Sequence, residues 1–193
     1  TVMHVLRSFD INKPGTKIKN LRGGVIGGSL VQGKFSVGDE IEIKPGIVNG
    51  KKKSYQPIQT EIVSLGTGAG TVDSVKPGGL VAIGTKLDPS LSRSDSLLGS
   101  VIGKPGTLPE NSTEVKLEIN LFDTAVGTQG DTKVTPVMVG ELLRVNIGTA
   151  PVPAKVNKAR TNEIEIEFRR PVCLFTGGSV ALSRRISERW RLV

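Results

Sequence analysis

Three observations predict an all-β chain made of two consecutive small β-barrels. Apolar and polar residues alternate with period two in many stretches, most sharply at Glu163-Ile164-Glu165-Ile166-Glu167-Phe168. That spacing turns one face of a strand inward and leaves the other in water. Turn signals built from Pro, Gly, Asn and Asp recur about every eight to twelve residues, the spacing of sandwiches and barrels. No stretch carries a convincing helical period. At 193 residues the chain is long enough for one large or two small domains.

The first strand is predicted over Val2–Leu6 and on through Arg7-Ser8-Phe9-Asp10-Ile11. Asn12-Lys13-Pro14-Gly15-Thr16 is a turn, because Pro presets φ and Gly accepts a positive one. A basic loop with Lys13, Lys17 and Lys19 leads to Leu21–Pro45, the organising stretch of the first domain. There the glycine-studded run Gly23–Val31 turns a barrel corner, Gln32–Gly33 makes a tight turn, and Glu40-Ile41-Glu42-Ile43 forms a strand. Pro45-Gly46 then opens a polar loop, Asn49–Ser54, tipped by Lys51–Lys53. Strands follow at Ile58–Leu65, at Leu80–Thr85 after the Pro77-Gly78-Gly79 turn, and at Leu97–Ile102 after a loop over 88–95.

Lys104-Pro105-Gly106-Thr107-Leu108-Pro109 is the predicted linker, since two prolines and a glycine do not suit a sheet ladder. It divides the chain into domains 1–104 and 105–193. Strands of the second are predicted at Glu114–Leu121, Leu142–Ile147, Ala154–Ala159, Glu163–Phe168, Val172–Phe175 and Ser179–Arg185, with a turn at Gly177-Gly178.

The formal charge of +8 favours polyanionic partners such as RNA. It is uneven: residues 1–104 hold 14 basic and 8 acidic side chains, residues 105–193 hold 12 and 10, which makes the first barrel the better host. Aromatic residues are only 4% of the chain, which argues against base-stacking platforms. One cysteine, Cys173, excludes an internal disulfide framework and a cysteine zinc site and fits a reducing, cytoplasmic setting. No apolar run approaches the roughly 18–20 residues needed to cross a bilayer, and no signal peptide is visible, so no membrane association is expected. Apolar runs at both ends give the expectation that the chain is a piece of something larger.

Gly28-Ser29-Leu30-Val31-Gln32-Gly33-Lys34-Phe35 nearly matches a phosphate loop. A working loop needs a Ser or Thr after the lysine to hold Mg²⁺ and a helix whose N-terminus receives the phosphates. Phe35 cannot ligate a metal, and a strand follows, so Lys34 is expected at an exposed hairpin turn. His4 is expected in a structural role, Cys173 as a small core residue, and Glu163, Glu165 and Glu167 as a solvated strand face. No catalytic constellation emerges. Arg169-Arg170, Arg184-Arg185, Arg189 and Arg191 around Trp190 suit either phosphate contacts or charged protection of β-edges.

Several long motifs resemble the gamma subunit of archaeal and eukaryotic translation initiation factor 2. They are Arg7-Ser8-Phe9-Asp10-Ile11-Asn12-Lys13-Pro14-Gly15, the Leu21–Pro45 stretch, and Pro77-Gly78-Gly79-Leu80-Val81-Ala82-Ile83-Gly84-Thr85-Lys86-Leu87-Asp88-Pro89. Val145-Asn146-Ile147-Gly148-Thr149, Ser183-Arg184-Arg185-Ile186 and Arg189-Trp190-Arg191-Leu192 extend the resemblance to the C-terminus. It implies the second and third domains of that subunit, barrels like domains 2 and 3 of elongation factor Tu. A preceding GTPase domain, outside this chain, would hold GTP and magnesium; no cofactor is expected here.

The resemblance also implies partners and sites. The family carries methionylated initiator tRNA to the small ribosomal subunit, as a heterotrimer with an alpha subunit docked on the first barrel and a beta subunit docked mainly on the GTPase domain. Matching the Arg-Gly-x-Val corner of elongation factor Tu to Arg22-Gly23-Gly24-Val25 puts Phe9, Ile11, Val25, Ser64 and Gly84 in the pocket for the tRNA 3′ end. Ser64 stands where elongation factor Tu has a carboxylate. Alpha docking falls on the loops Asn12–Leu21 and Asp88–Asp95, with Lys13, Lys17, Lys19, Asp88 and Arg93. Arg184, Arg185, Arg189 and Arg191 are candidate RNA-backbone contacts. The alternatives are the barrels of another translational GTPase, such as the selenocysteine-specific factor, or a free-standing RNA-binding barrel protein.

Overall fold

The computed structural model describes residues 1–49, 54–128 and 132–193, so the lysine run Lys51–Lys53 lies outside the described residues. Contacts divide the chain into two units, Thr1–Glu110 and Asn111–Val193. The all-β, two-barrel expectation holds: strand makes up 56% of the chain, and the described helix is limited to single 3-10 turns.

The first unit contains β1 (Val2–Phe9), β2 (Val25–Gln32), β3 (Phe35–Ser36), β4 (Glu40–Asn49), β5 (Ser54–Thr67), β6 (Gly70–Val72), β7 (Ser74–Val75), β8 (Leu80–Thr85) and β9 (Val101–Gly103). Six strands pair in the order β4-β9-β1-β2-β8-β5, and β5 pairs back onto β4, which closes the barrel. Alternation explains the facing. In β2 Ile26 and Leu30 are buried while Val25, Gly27 and Ser29 face outward, and in β4 Ile41 and Ile43 are fully buried. Gly28 is a corner of the predicted kind: a Cβ there would sit 2.1 Å from the His4 carbonyl oxygen.

Three sequence expectations for this unit need correction. Pro45-Gly46 does not end its strand: β4 runs on to Asn49 through an irregularity between Ile43 and Ile47. Gly46, at φ +89°, lets the bend pass the Gln56 carbonyl, which a Cβ would approach to 1.8 Å. Leu97–Ile102 is not one strand; β9 covers only Val101–Gly103. Leu97 is buried in a turn, where its N–H donates to Ser8 Oγ at 3.1 Å and its carbonyl accepts from Ser100. The first strand stops at Phe9, so Ile11 lies in the loop beyond it.

The segment 104–110 packs with the first unit. Leu108 is buried against Gly103, whose added Cβ would fall 2.6 Å from a Leu108 methyl. Lys44 Nζ donates to the carbonyls of Leu108 at 3.3 Å and Pro109 at 3.1 Å, and Glu42 Oε2 accepts from the Gly106 N–H at 3.3 Å. Lys44 and Glu42 are buried, with Nζ and Oε2 4.0 Å apart, so the segment is fastened by a buried ion pair.

The second unit is a six-stranded antiparallel sheet ordered β10-β13-β12-β11-β14-β15: β10 (Asn111–Glu118), β11 (Leu142–Ile147), β12 (Ala150–Arg160), β13 (Glu163–Cys173), β14 (Val180–Ile186) and β15 (Arg189–Leu192). Leu143, Val145, Val152, Val156, Ile164, Ile166 and Phe168 form its core. Ser187 and Glu188, both at positive φ, make the tight turn between β14 and β15. On the outer face the glutamates of β13 are cross-strand partners: Glu163 binds Lys116 and Glu165 binds Lys158, each at 2.8 Å. The Lys158 hydrogen bond holds the Glu165 carboxyl below its ordinary pKa. Cys173 is buried, as expected of a core residue.

Candidate functional site

Ladder register brings four of the five predicted pocket residues into one lateral row. Phe9 on β1 pairs with Val25 on β2, Val25 with Gly84 on β8, and Gly84 with Ser64 on β5. Directly paired residues of an antiparallel sheet share a face. Ile26 and Ile83, their chain neighbours, point into the core, so the row lies on the outer surface. Phe9 is 37% exposed, Val25 half-buried and Ser64 exposed. Gly84 keeps the middle of the row low: a Cβ there would lie 2.3 Å from Ser64 Oγ. The row below it, Arg7, Gly27, Ala82 and Gly66, is equally short of bulky side chains apart from Arg7. Ile11, 46% exposed, follows Phe9 in the adjoining loop.

Both predicted docking loops leave the barrel beside this row. The loop 12–22 is closed by one side chain: Asn12 Nδ2 donates to the Arg22 carbonyl at 2.7 Å while Asn12 Oδ1 accepts the Arg22 N–H at 2.8 Å. Asp10 Oδ1 accepts from the Asn12 N–H at 2.8 Å and from its amide at 2.7 Å, which fixes the clamp in turn. Lys13, Lys17 and Lys19 stand exposed on the loop.

The loop 88–96 is braced onto the end of β1. Asp88 caps the first 3-10 turn by accepting the Ser90 N–H at 2.9 Å, and both Asp88 and Arg93 are exposed. Buried Ser92 donates to the Phe9 carbonyl at 3.1 Å and occupies the space above Gly24, where a Cβ would meet its Oγ at 2.3 Å. Asp95, at φ +57°, accepts the Ser8 N–H and the Arg7 Nε–H, each at 2.9 Å. Phe9 therefore belongs to the outer row and, with Arg7 and Ser8, to the loop brace. Sequence reasoning missed Asn12, Ser92 and Asp95. Their one local signal is that Asn, Asp and Ser bond readily to loop backbone.

The Ser8 N–H, followed by the Arg7 guanidinium, lowers the Asp95 pKa from its ordinary 3.8. A depressed folded-state value means the brace is at full strength above the unfolded value and weakens as pH falls through the folded one. The Ser8 amide is expected to stay protected from hydrogen exchange down to about pH 4 and to open below it. In Asp95→Asn this acid-dependent opening should vanish; exchange measured against pH checks it.

The C-terminal arginines do not form one patch. Arg184 is largely buried and spends its guanidinium on Glu141, on the Thr135 carbonyl at 2.9 Å and on Thr135 Oγ1 at 3.1 Å. Arg191 pairs with Arg184 across the ladder and shares its face, whereas Arg185 pairs with Trp190 on the opposite face and binds Glu188. Arg189 is exposed beside the hairpin turn. His4 is half-buried on the outer face opposite Ser29, and burial lowers its pKa below 6.5.

The near-miss phosphate loop does not fit a nucleotide. Phe35 is fully buried in the first core, and its strand pairs with β7. Lys34 is exposed beside Gly33, which adopts φ +84° in the hairpin turn. These residues provide neither the metal-ligating hydroxyl nor the helix N-terminus that phosphates require.

Two antiparallel β-domains, one of them a closed barrel with a flat outer row and two braced loops at one end, define a two-domain β-barrel protein. Residues 113–193 match the family model described as "Initiation factor eIF2 gamma, C terminal". Along 99% of its length the chain is 49% identical to translation initiation factor 2 subunit gamma of Methanocaldococcus jannaschii and 51% identical to that of Thermococcus onnurineus. It is 48% identical over its whole length to the subunit of Aeropyrum pernix. The chain covers 47% of each of these relatives, their C-terminal part. Over that part, the chain belongs to the translation initiation factor 2 gamma family.

Proposed function

We propose that this chain is the two-barrel part of a GTP-dependent initiation factor subunit that delivers methionylated initiator tRNA to the small ribosomal subunit in the cytoplasm. The observation that carries this reading is the near-50% identity along essentially the whole chain to initiation factor 2 gamma subunits. In this reading the first barrel has two tasks. The row Phe9–Val25–Gly84–Ser64, with Ile11, receives the aminoacylated 3′ end. Its shallow apolar floor suits a planar base and a thioether side chain, and nearby cations supply attraction for the phosphates. The loops Asn12–Leu21 and Asp88–Asp95 dock the alpha subunit.

GTP, Mg²⁺ and the beta subunit belong to the part of the gamma subunit that this chain does not span, and the chain performs no nucleotide chemistry of its own. Arg185 and Arg189 are the C-terminal cations best placed to meet ribosomal RNA, because they stand exposed on the β14–β15 hairpin. Arg191 lies on the other face, whereas the Arg184 guanidinium is already held by Glu141 and Thr135 and is the least available of the four.

Alpha docking has a direct test. Reversing Lys17 and Lys19 to Glu should weaken binding of the alpha subunit about tenfold or more at low salt, since like charges across an interface are costly. Calorimetry of the complete gamma subunit with alpha measures it. Unchanged affinity would move the docking site off this loop.

A further inference from the structure

Resting on the reading that the alpha subunit docks on loop 12–22, we propose that Ile18 is the apolar anchor of that docking and enters an acid-rimmed apolar pocket on the partner. Ile18 is 88% exposed, the highest value among the exposed large apolar side chains of the described residues. A single exposed apolar residue on a surface is ordinary. This one differs in how it is held and in what surrounds it.

The loop is built to hold its shape without a partner. Asn12 clamps its two ends through the paired bonds to Arg22. Thr16 closes the first turn, its N–H and Oγ1 both donating to the Lys13 carbonyl at 3.1 and 2.6 Å. Ile18 itself sits in a 3-10 turn, closed by Asn20 N–H to the Lys17 carbonyl at 2.8 Å and Leu21 N–H to the Ile18 carbonyl at 3.2 Å. A loop ordered in advance loses little freedom on binding, which is the condition under which one buried side chain contributes strongly to affinity.

The surroundings identify the partner chemistry. Residues 12–22 contain four cations, Lys13, Lys17, Lys19 and Arg22, all exposed, and no carboxylate. Ile18 is flanked on both sides by lysine. Such a tip fits an apolar socket ringed by Asp and Glu on a folded protein. A nucleic acid would draw on the lysines, but single strands are gripped by stacking bases on aromatic side chains, and residues 12–22 contain none.

The test uses the complete gamma subunit and the alpha subunit, with calorimetry at low and high salt. Ile18→Ala should weaken alpha binding about 10- to 30-fold, the loss of one buried aliphatic side chain, by a factor that salt does not change. Lys17→Glu with Lys19→Glu should weaken it by a factor that shrinks as salt rises. Ile18→Ala should leave the melting temperature of the free subunit unchanged, because the side chain is exposed. Normal binding by Ile18→Ala beside weakened binding by the lysine reversals would keep docking on this loop and remove the anchor. Normal binding by both would overturn the docking reading itself. A loss of initiator tRNA affinity in Ile18→Ala, with alpha binding intact, would make the loop a nucleic-acid contact and overturn the proposal.

Discussion

Phe35→Ser is expected to unfold the first barrel rather than to create a nucleotide site. The substitution completes the phosphate-loop pattern, turning Gly28-Ser29-Leu30-Val31-Gln32-Gly33-Lys34-Phe35 into a formal match. Phe35 is fully buried among the core residues that include Met3, Ile41 and Ile62. Removing a buried phenylalanine costs about 3–5 kcal/mol, and the new hydroxyl must also find a partner in an apolar core. That is a large share of the roughly 5–15 kcal/mol that holds a domain together. Denaturant unfolding should show the loss. Calorimetry with GTP and Mg²⁺ should show no binding for either the unmodified chain or the variant. Micromolar nucleotide binding by either would overturn the assignment of this stretch to a barrel corner.

The second large effect is expected at Lys44. Its ammonium is buried, bound to the Leu108 and Pro109 carbonyls and facing Glu42. Lys44→Ala leaves the Glu42 carboxylate buried without the Lys44 cation and removes the bonds from Nζ to the Leu108 and Pro109 carbonyls. Breaking a buried pair from one side costs about 3–5 kcal/mol. Amide exchange of Gly106 and Thr107 should rise with it, because the segment 104–110 loses its fastening. Replacing both charges together, Glu42→Leu with Lys44→Met, should recover most of the stability, since a well-packed apolar pair often matches an ion pair in such a position. A double variant no better than Lys44→Ala would show that the carbonyl bonds, not the pair, dominate.

Strict alternation made much of the second domain legible, but Val172–Phe175 is not a strand of its own, because β13 runs on through Arg169-Arg170 to Cys173, and β10 ends at Glu118 rather than at Leu121. β11 was read to the residue as Leu142–Ile147, and the inward set Ile164, Ile166 and Phe168 is the buried set. Alternation failed where a bend or a turn is buried. Pro45-Gly46 reads as a strand end, yet the chain continues as a bulge shaped around the Gln56 carbonyl. Leu97 reads as strand because it is apolar, yet it is a turn residue held in place by Ser8.

The candidate site was legible only through resemblance. Register across four strands is what aligns Phe9, Val25, Gly84 and Ser64, and no local spacing announces it. The brace that joins the row to the second loop uses contacts 83 to 88 residues apart along the chain. Side-chain bonds of that range carry no period, so they stay invisible until the barrel is closed.

The central claim is that the outer row receives the charged end of initiator tRNA while the loops separately dock the alpha subunit. Val25→Glu tests it most directly, because Val25 lies between Phe9 and Gly84 with its side chain on the outer face. Measured on the complete gamma subunit with a GTP analogue, affinity for methionylated initiator tRNA should fall about 10- to 100-fold, the cost of a carboxylate facing phosphates and covered by the bound end. Alpha binding should be unchanged. Equal tRNA affinity for Val25→Glu and the unmodified subunit would contradict the account.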